Sequence, residues 1–339
     1  MDTAEYLSKA RASHAVKDPA DIEVRIPAHL AEDYQYFTFE QSDEICKYYT
    51  ENGYVVVRDL ISRELCDVAL SMFAREVKPF PGFMYRQATG NPERHVLTEY
   101  GLMLNSILNI QSLSKARFRG FQTAGLAIIT NPRVQRICQM ILGEPGTLVQ
   151  SMFFEGNPVT WPHQDTYYLD AERIGHMTAV WIAAEDIAPG AGRFFVYPRS
   201  HMIDIERNAG EFGIAFHHDR YKQRVLDVIR SRNLQCTAPA MQKGDGLFWS
   251  SKTIHGSLQT TQPQFARSSF SAHYIPESLR FLQFQARIRR LQLTSVNGMS
   301  VHRPKDLNRI GNRAVMWVEA MFPRIFRVAK KGTIKLVTR

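Results

Sequence analysis

Five short apolar runs, at 148–154, 178–183, 194–197, 247–249 and 268–274, follow one another with turn-forming stretches between them. This texture constrains the fold more than any other feature of the chain. Short strands at such spacing predict a β-sandwich or jelly roll, whereas alternating βαβ units would set a helix between each pair. One interval, 203–235, is long and polar, with Arg207, Arg220, Arg224, Arg230 and Arg232, and reads as an insertion within the β region.

Ahead of these runs the chain reads as helical support. Thr38-Phe39-Glu40-Gln41 resembles a capping box, so a helix is expected from about residue 38 to a C-cap at Asn52-Gly53. Tyr54-Val55-Val56-Val57 reads as a buried strand. Ser62 is the expected N-cap of a second helix with Leu65, Val68, Ala69, Met72 and Phe73 on one face. Residues 80–100, rich in Gly, Pro and Arg, read as a loop or lid. Helical periodicity returns across 102–143 and stops at Gly143-Glu144-Pro145-Gly146. The expected organisation is an arm over 1–36, a domain over 37–276 carrying the 203–235 insertion, and a basic extension over 277–339.

Composition narrows the class. Hydrophobic residues make up 44 % and charged residues 22 %, as in an ordinary globular protein. No apolar run approaches the roughly 18 residues of a membrane span, and Met1-Asp2-Thr3-Ala4-Glu5 lacks a signal pattern. Cys46, Cys66, Cys138 and Cys236 are scattered, which argues against a disulfide framework or a zinc–thiolate site. A cytoplasmic setting is expected. Of the net charge of +9, residues 301–339 contribute ten Lys/Arg against two acids, so the first 300 residues are nearly neutral. The basic end reads as a patch for an anionic substrate, membrane surface or partner, or as a solvated extension. It lacks the interleaved aromatics that stack bases, so nucleic acid is not an expected partner. Oligomeric state is not legible.

Two His-x-Asp segments could start a metal site. Two histidines and a carboxylate on one face of an iron(II) ion are the mark of non-haem oxygenases, and residues i and i+2 of a strand share a side. His163-Gln164-Asp165 is flanked by strand-like runs and followed by Tyr167-Tyr168; His217-His218-Asp219 lies among charges in the insertion. The first is the expected ligand pair, the second solvated surface. His255, in Thr253-Ile254-His255-Gly256-Ser257 after the run 247–249, is the expected third ligand. Arg267 precedes another strand-like run and has the planar fork that grips a carboxylate, and Ser269 could add a hydroxyl. His176, His201 and His273 read as structural histidines.

His163-Gln164-Asp165, Thr178-Ala179-Val180-Trp181, Pro198-Arg199-Ser200-His201, Gly244-Asp245, His255-Gly256-Ser257 and Arg267 together resemble the phytanoyl-CoA dioxygenase family over about 38–276. The resemblance implies a mainly β fold with flanking α-helices and a double-stranded β-helix, or cupin-like jelly-roll, core. It implies Fe(II) at His163, Asp165 and His255, with 2-oxoglutarate and O2 as cosubstrates, Arg267 as carboxylate anchor and ascorbate as reductant in vitro. Trp181 and Ser257 match positions that line the cosubstrate, joined by Gln150 and Met152. The implied activity is hydroxylation, or a related oxidation, of a C–H bond in a small organic molecule, giving succinate and CO2; Arg86 and the basic C-terminal region permit that molecule to be anionic. Retention of Asp165 points away from halogenation. Tyr167, Tyr85 and Arg86 are expected in the substrate wall, with one of Tyr167 and Tyr168 facing the metal. The sequence departs from the family at Arg199, usually Gly, and has one extra residue between His255 and Arg267. A silent jelly-roll binding protein and a metal-dependent hydrolase are the open alternatives.

Overall fold

The computed structural model describes residues 14–26, 35–205, 218–284, 287–324 and 326. Its centre is an eight-stranded sheet. Along the sheet lie Leu293–Val296, Met299–His302, Gly146–Phe154, Ser269–Pro276, Thr178–Ala183, Gly246–Ser250 and Tyr54–Val57, with Ile107–Leu108 also paired to Gly146–Phe154. Two smaller antiparallel sheets complete the jelly roll. One pairs Phe194–Val196 with His255–Ser257, and the other joins Leu169–Ala171, Phe281–Gln283 and Arg287–Arg289. The fold is mainly β with flanking helices, as expected.

Alternation along the central strands sorts two environments. On the back, Phe153 and Phe270 pack with ring centroids 5.0 Å apart, against Phe121 and Phe73 of the helical layer. Truncating one such buried phenylalanine to alanine would cost about 3–5 kcal/mol. On the front, Met152 and Trp181 each stand opposite Ser271, and Ala179 lies opposite both His273 and Trp249. The helical layer therefore fixes the sheet, and the front face is left for the site.

The helix Ser42–Asn52 starts four residues later than the capping-box reading. The Gln41 side chain accepts from the Thr38 N–H at 2.9 Å, which closes a turn ahead of the helix instead of capping it. Its end is as expected: Gly53 takes φ 78, and a Cβ there would lie 2.4 Å from His201 Nδ1. Ser62 caps Arg63–Met72 by accepting from the Leu65 N–H, but Val68, expected on the packed face, is 49 % exposed. Of the stretch 102–143, only Lys115–Ile129 and Pro132–Leu142 are α-helix. Residues 102–114 are spent on the edge strand Ile107–Leu108 and a turn.

Three expected boundaries differ in the structure. Within the 1–36 arm, His14–Lys17 and Glu23–Ile26 form a hairpin with Ile26 buried, and Tyr197 Oη donates to Asp18 at 2.9 Å; residues 1–13 and 27–34 lie outside the described residues. Within the 203–235 insertion, His218–Ser231 is an amphipathic helix that buries Tyr221, Val225 and Ile229 beside Tyr167, Tyr197 and Ile254. Past residue 276, Met299–His302 joins the central sheet beside Gly146–Phe154, through Val301 opposite Leu148. Polar residues at 292–302 alternate with apolar ones, the pattern of an edge strand, and this masks their place in the sheet. Residues 327–339 of the basic extension lie outside the described residues.

Candidate metal centre

His163 and His255 are brought together by the backbone. Each donates its N–H to the other's carbonyl, at 3.1 and 3.0 Å, an antiparallel bridge that sets the imidazoles 4.4 Å apart. The chain then turns through Asp165–Tyr167, which returns the Asp165 carboxyl to the same spot. His163 Nδ1 lies 2.9 Å from Trp161 O, and His255 Nδ1 lies 2.9 Å from Thr253 O. A carbonyl only accepts, so Nδ1 carries the hydrogen in both rings and Nε2 is the atom each ring can offer to a metal. Both Nε2 atoms face Asp165 Oδ1, at 3.4 and 3.5 Å, and the three ligand atoms lie within 4.8 Å of one another.

The other oxygen of Asp165 is already engaged. Oδ2 accepts from Trp249 Nε1 at 2.8 Å and from His273 Nε2 at 3.2 Å. Burial raises the pKa of this carboxyl, but the imidazoles of His255, His273 and His163 gathered around it, with the hydrogen bond from His273, outweigh burial and hold the group well below the usual range. Burial pushes His255 down to about 4, so its ring is neutral at pH 7. Two imidazole nitrogens and one carboxylate oxygen, converging with their outer atoms tied back, suit a divalent cation with open positions.

These groups open onto a cavity of about 680 Å³ whose wall also contains Arg267. Arg267 is 2 % exposed and has no acid beside it among the described residues; its guanidinium carbon lies 5.6 Å from the Phe154 ring and 5.8 Å from that of Trp181. Its Nε and the Trp181 Nε1 are both buried without a hydrogen-bond partner. Burial alone pushes the guanidinium pKa down to about 9. A buried cation with nothing to pair is costly unless an anion joins it. Ser257 Oγ accepts from the Thr160 N–H at 2.7 Å, leaving its own hydrogen to donate. The residues thus fit a small dicarboxylate that reaches from a bound metal to Arg267.

Gln150, Met152, Trp181 and Ser257 line this cavity with the three ligands and Arg267. Four other expected residues do not. Ser269 shares the strand face, but its hydroxyl turns back to donate to Arg267 O at 3.2 Å. Tyr167 stacks on Tyr221 at 3.7 Å, and Tyr168 faces the cavity in its place. Tyr85 lines a smaller neighbouring cavity of about 190 Å³ and donates to Glu319 at 2.9 Å. Arg86 is wholly buried and donates to Asn105 O and His95 Nδ1, both at 2.9 Å, which ties the loop together. From that loop, Gln87 to Gly90 reach the wall instead. Trp249, His273, Ser271, Trp161 and Lys222 line the cavity without having been singled out for it. Alternation from Ser269 through Ser271 to His273 is the signal that could have found two of them. Of the rival motif, Asp219 is fully exposed, 3.9 Å from Lys222, and His217 lies outside the described residues.

The family model of phytanoyl-CoA dioxygenase matches residues 49–268, well over half of the chain and inclusive of His163, Asp165, His255 and Arg267. The chain belongs to the phytanoyl-CoA dioxygenase family. As such it is a non-haem enzyme dependent on iron and 2-oxoglutarate. Among curated relatives, the peroxisomal phytanoyl-CoA dioxygenase of Homo sapiens is 23 % identical over 304 residues, covering 82 % of this chain and 81 % of its own. That of Bos taurus is 23 % identical over 256 residues, with 70 % of each chain covered. Solved structures share the fold. EctD from S. alaskensis, with 2-oxoglutarate and 5-hydroxyectoine, gives a TM-score of 0.53 at 15 % identity, covering 86 % of this chain and 94 % of its own. The non-haem α-ketoglutarate-dependent carbocyclase SnoK from nogalamycin biosynthesis gives 0.52 at 17 % identity, covering 73 % and 89 %.

Proposed function

We propose that this family member hydroxylates, or otherwise oxidises, an unactivated C–H bond of a small organic molecule. In this reading iron is held by His163, Asp165 and His255, and the far carboxylate of 2-oxoglutarate by Arg267. One observation carries it: a converging metal-ligand set and a buried, unpaired guanidinium share one cavity. When bound, iron and 2-oxoglutarate supply an oxidant from O2, with succinate and CO2 as co-products.

The chain's own part is positioning. Trp249 and His273 hold Asp165 Oδ2, so that Oδ1 is the oxygen offered to the metal. Phe154 and Trp181 flank the guanidinium and keep water from it. A hydrolase would have no use for such an anchor, which favours the oxygenase over the hydrolytic alternative. Tyr168, Trp161, Gln283 and Phe284 wall the remaining space. The cation facing it is Lys222, its Nζ 5.1 Å from the Trp161 ring centre, and this is the group offered to an anionic substrate. The four cysteines are unpaired, which supports a reducing, cytoplasmic setting.

The test is succinate formation from 2-oxoglutarate by the purified protein with Fe(II) and ascorbate under air. We expect slow turnover without substrate, abolished in Asp165→Ala and retained in Asp219→Ala. The reverse pattern, or no 2-oxoglutarate binding under nitrogen, would overturn the assignment.

A further inference from the structure

The helix Ile310–Met321 wears its apolar residues on the outside. Ile310, Trp317, Val318 and Met321 fall on one helical face by their spacing. That face is open, at 77, 55, 40 and 49 % exposure, and Phe322 continues it at 47 %. The inward face is the polar one: Glu319 is 6 % exposed and accepts from Tyr85 Oη at 2.9 Å and from Lys305 Nζ at 3.2 Å. An apolar stripe turned away from the core marks an interaction surface.

Charge identifies what it meets. Residues 287–326 carry eight Lys/Arg and two acids; Glu319 is buried, and Asp306 is occupied by the Asn308 side chain at 2.7 Å. Arg287, Arg289, Arg290, Arg309 and Arg324 are exposed. Arg309 directly precedes the helix and, with Arg290, borders a surface depression that also holds Leu293, itself 52 % exposed, so cations and an apolar side chain meet beside the helix's first turn. In sequence, 327–339 adds five more Lys/Arg and no acid.

We propose that this face docks on an anionic lipid bilayer, with the helix lying in the interface. No described helix is long and apolar enough to cross a membrane. An exposed Trp- and Phe-bearing stripe rimmed by cations is the composition of a helix that lies on one. A second copy of this chain fits worse, because a two-fold contact would bring two patches of the same positive sign together. Nucleic acid would leave Ile310, Val318 and Met321 unused.

The test is co-sedimentation of the full-length protein with phosphatidylcholine vesicles, with and without a third of phosphatidylserine. Emission quenching by brominated lipid accompanies it; Trp181 and Trp249 are buried and Trp161 half-buried, so quenching reports on Trp317. We expect binding to the anionic vesicles only, weakened by high salt. The double variant Trp317→Ser/Met321→Ser should bind on the order of tenfold or more weakly, with its melting temperature unchanged. Arg289→Glu/Arg324→Glu should weaken binding roughly tenfold or more at low salt. Failure to bind either vesicle overturns the proposal, as does equal binding to neutral vesicles. A dimer dissolved by Trp317→Ser would assign the face to a second copy, and retention on duplex DNA without vesicle binding would assign it to nucleic acid.

Discussion

Replacing Arg267 with methionine should move stability and ligand binding in opposite directions. Burial pushes the guanidinium pKa from its usual value down to about 9, which at about 1.4 kcal/mol per tenfold is a cost on the order of 5 kcal/mol to the buried charge. No acid offsets this in the ligand-free protein. Methionine keeps much of the apolar stem between Phe154 and Trp181 and removes the charge. After allowance for lost contacts, the ligand-free variant should be as stable as wild type or more stable by about 1–3 kcal/mol. The 2-oxoglutarate complex should instead be weakened: deleting one partner of a buried charge pair costs about 2–5 kcal/mol, or roughly 30- to 5,000-fold in affinity. Calorimetric titration with 2-oxoglutarate under nitrogen, on Fe(II)-loaded protein, reads the second effect, and urea unfolding of the ligand-free protein reads the first. If Arg267→Met binds 2-oxoglutarate as tightly as wild type, Arg267 is not its anchor. If the ligand-free variant is instead several kcal/mol less stable, the guanidinium is a structural group with partners that the geometry does not reveal.

Two further outcomes follow from the same geometry. Trp249→Phe removes the indole donor from Asp165 Oδ2 while keeping an aromatic ring in the strand, so iron affinity, measured by chelator competition, should fall about 10- to 100-fold with the fold intact; an unchanged affinity would leave Trp249 a packing residue. Asp170 is buried, and burial pushes its pKa up to about 6 despite hydrogen bonds from Gly175, Ser251 and Ala171. Its folded pKa lies above its unfolded value, so its contribution is full below about pH 4 and is lost as pH rises through about 6, a decline of roughly 3 kcal/mol. Urea unfolding at pH 5 and 7.5 should show that slope in wild type and a flatter one in Asp170→Asn; equal slopes would contradict it.

The core strands and the cluster of His163, Asp165 and His255 were legible because most of their determinants are local. A β-branched or aromatic run between turns specifies a strand wherever it packs, and His-x-Asp at a strand end needs only its neighbours. What was not legible depends on partners far along the chain. Arg86 reads as a loop cation until Asn105 and His95 enclose it. Tyr167 and Tyr168 are indistinguishable until the helix His218–Ser231 supplies Tyr221 to stack on the first. Trp249 reads as core, and only the return of Asp165 shows that its indole N–H has a carboxylate to hold. Met299–His302 is too polar to announce that it flanks Gly146–Phe154. The same distance hides the purpose of Ile310–Met321, read only as part of a basic extension, whose apolar face the structure turns outward.

The most direct test of the account is an anaerobic crystal structure with Fe(II) and 2-oxoglutarate. It should show the metal on His163 Nε2, Asp165 Oδ1 and His255 Nε2, with the far carboxylate of 2-oxoglutarate on the Arg267 guanidinium. A metal that leaves Asp165 unliganded, or a 2-oxoglutarate whose far carboxylate meets some other cation, would contradict it.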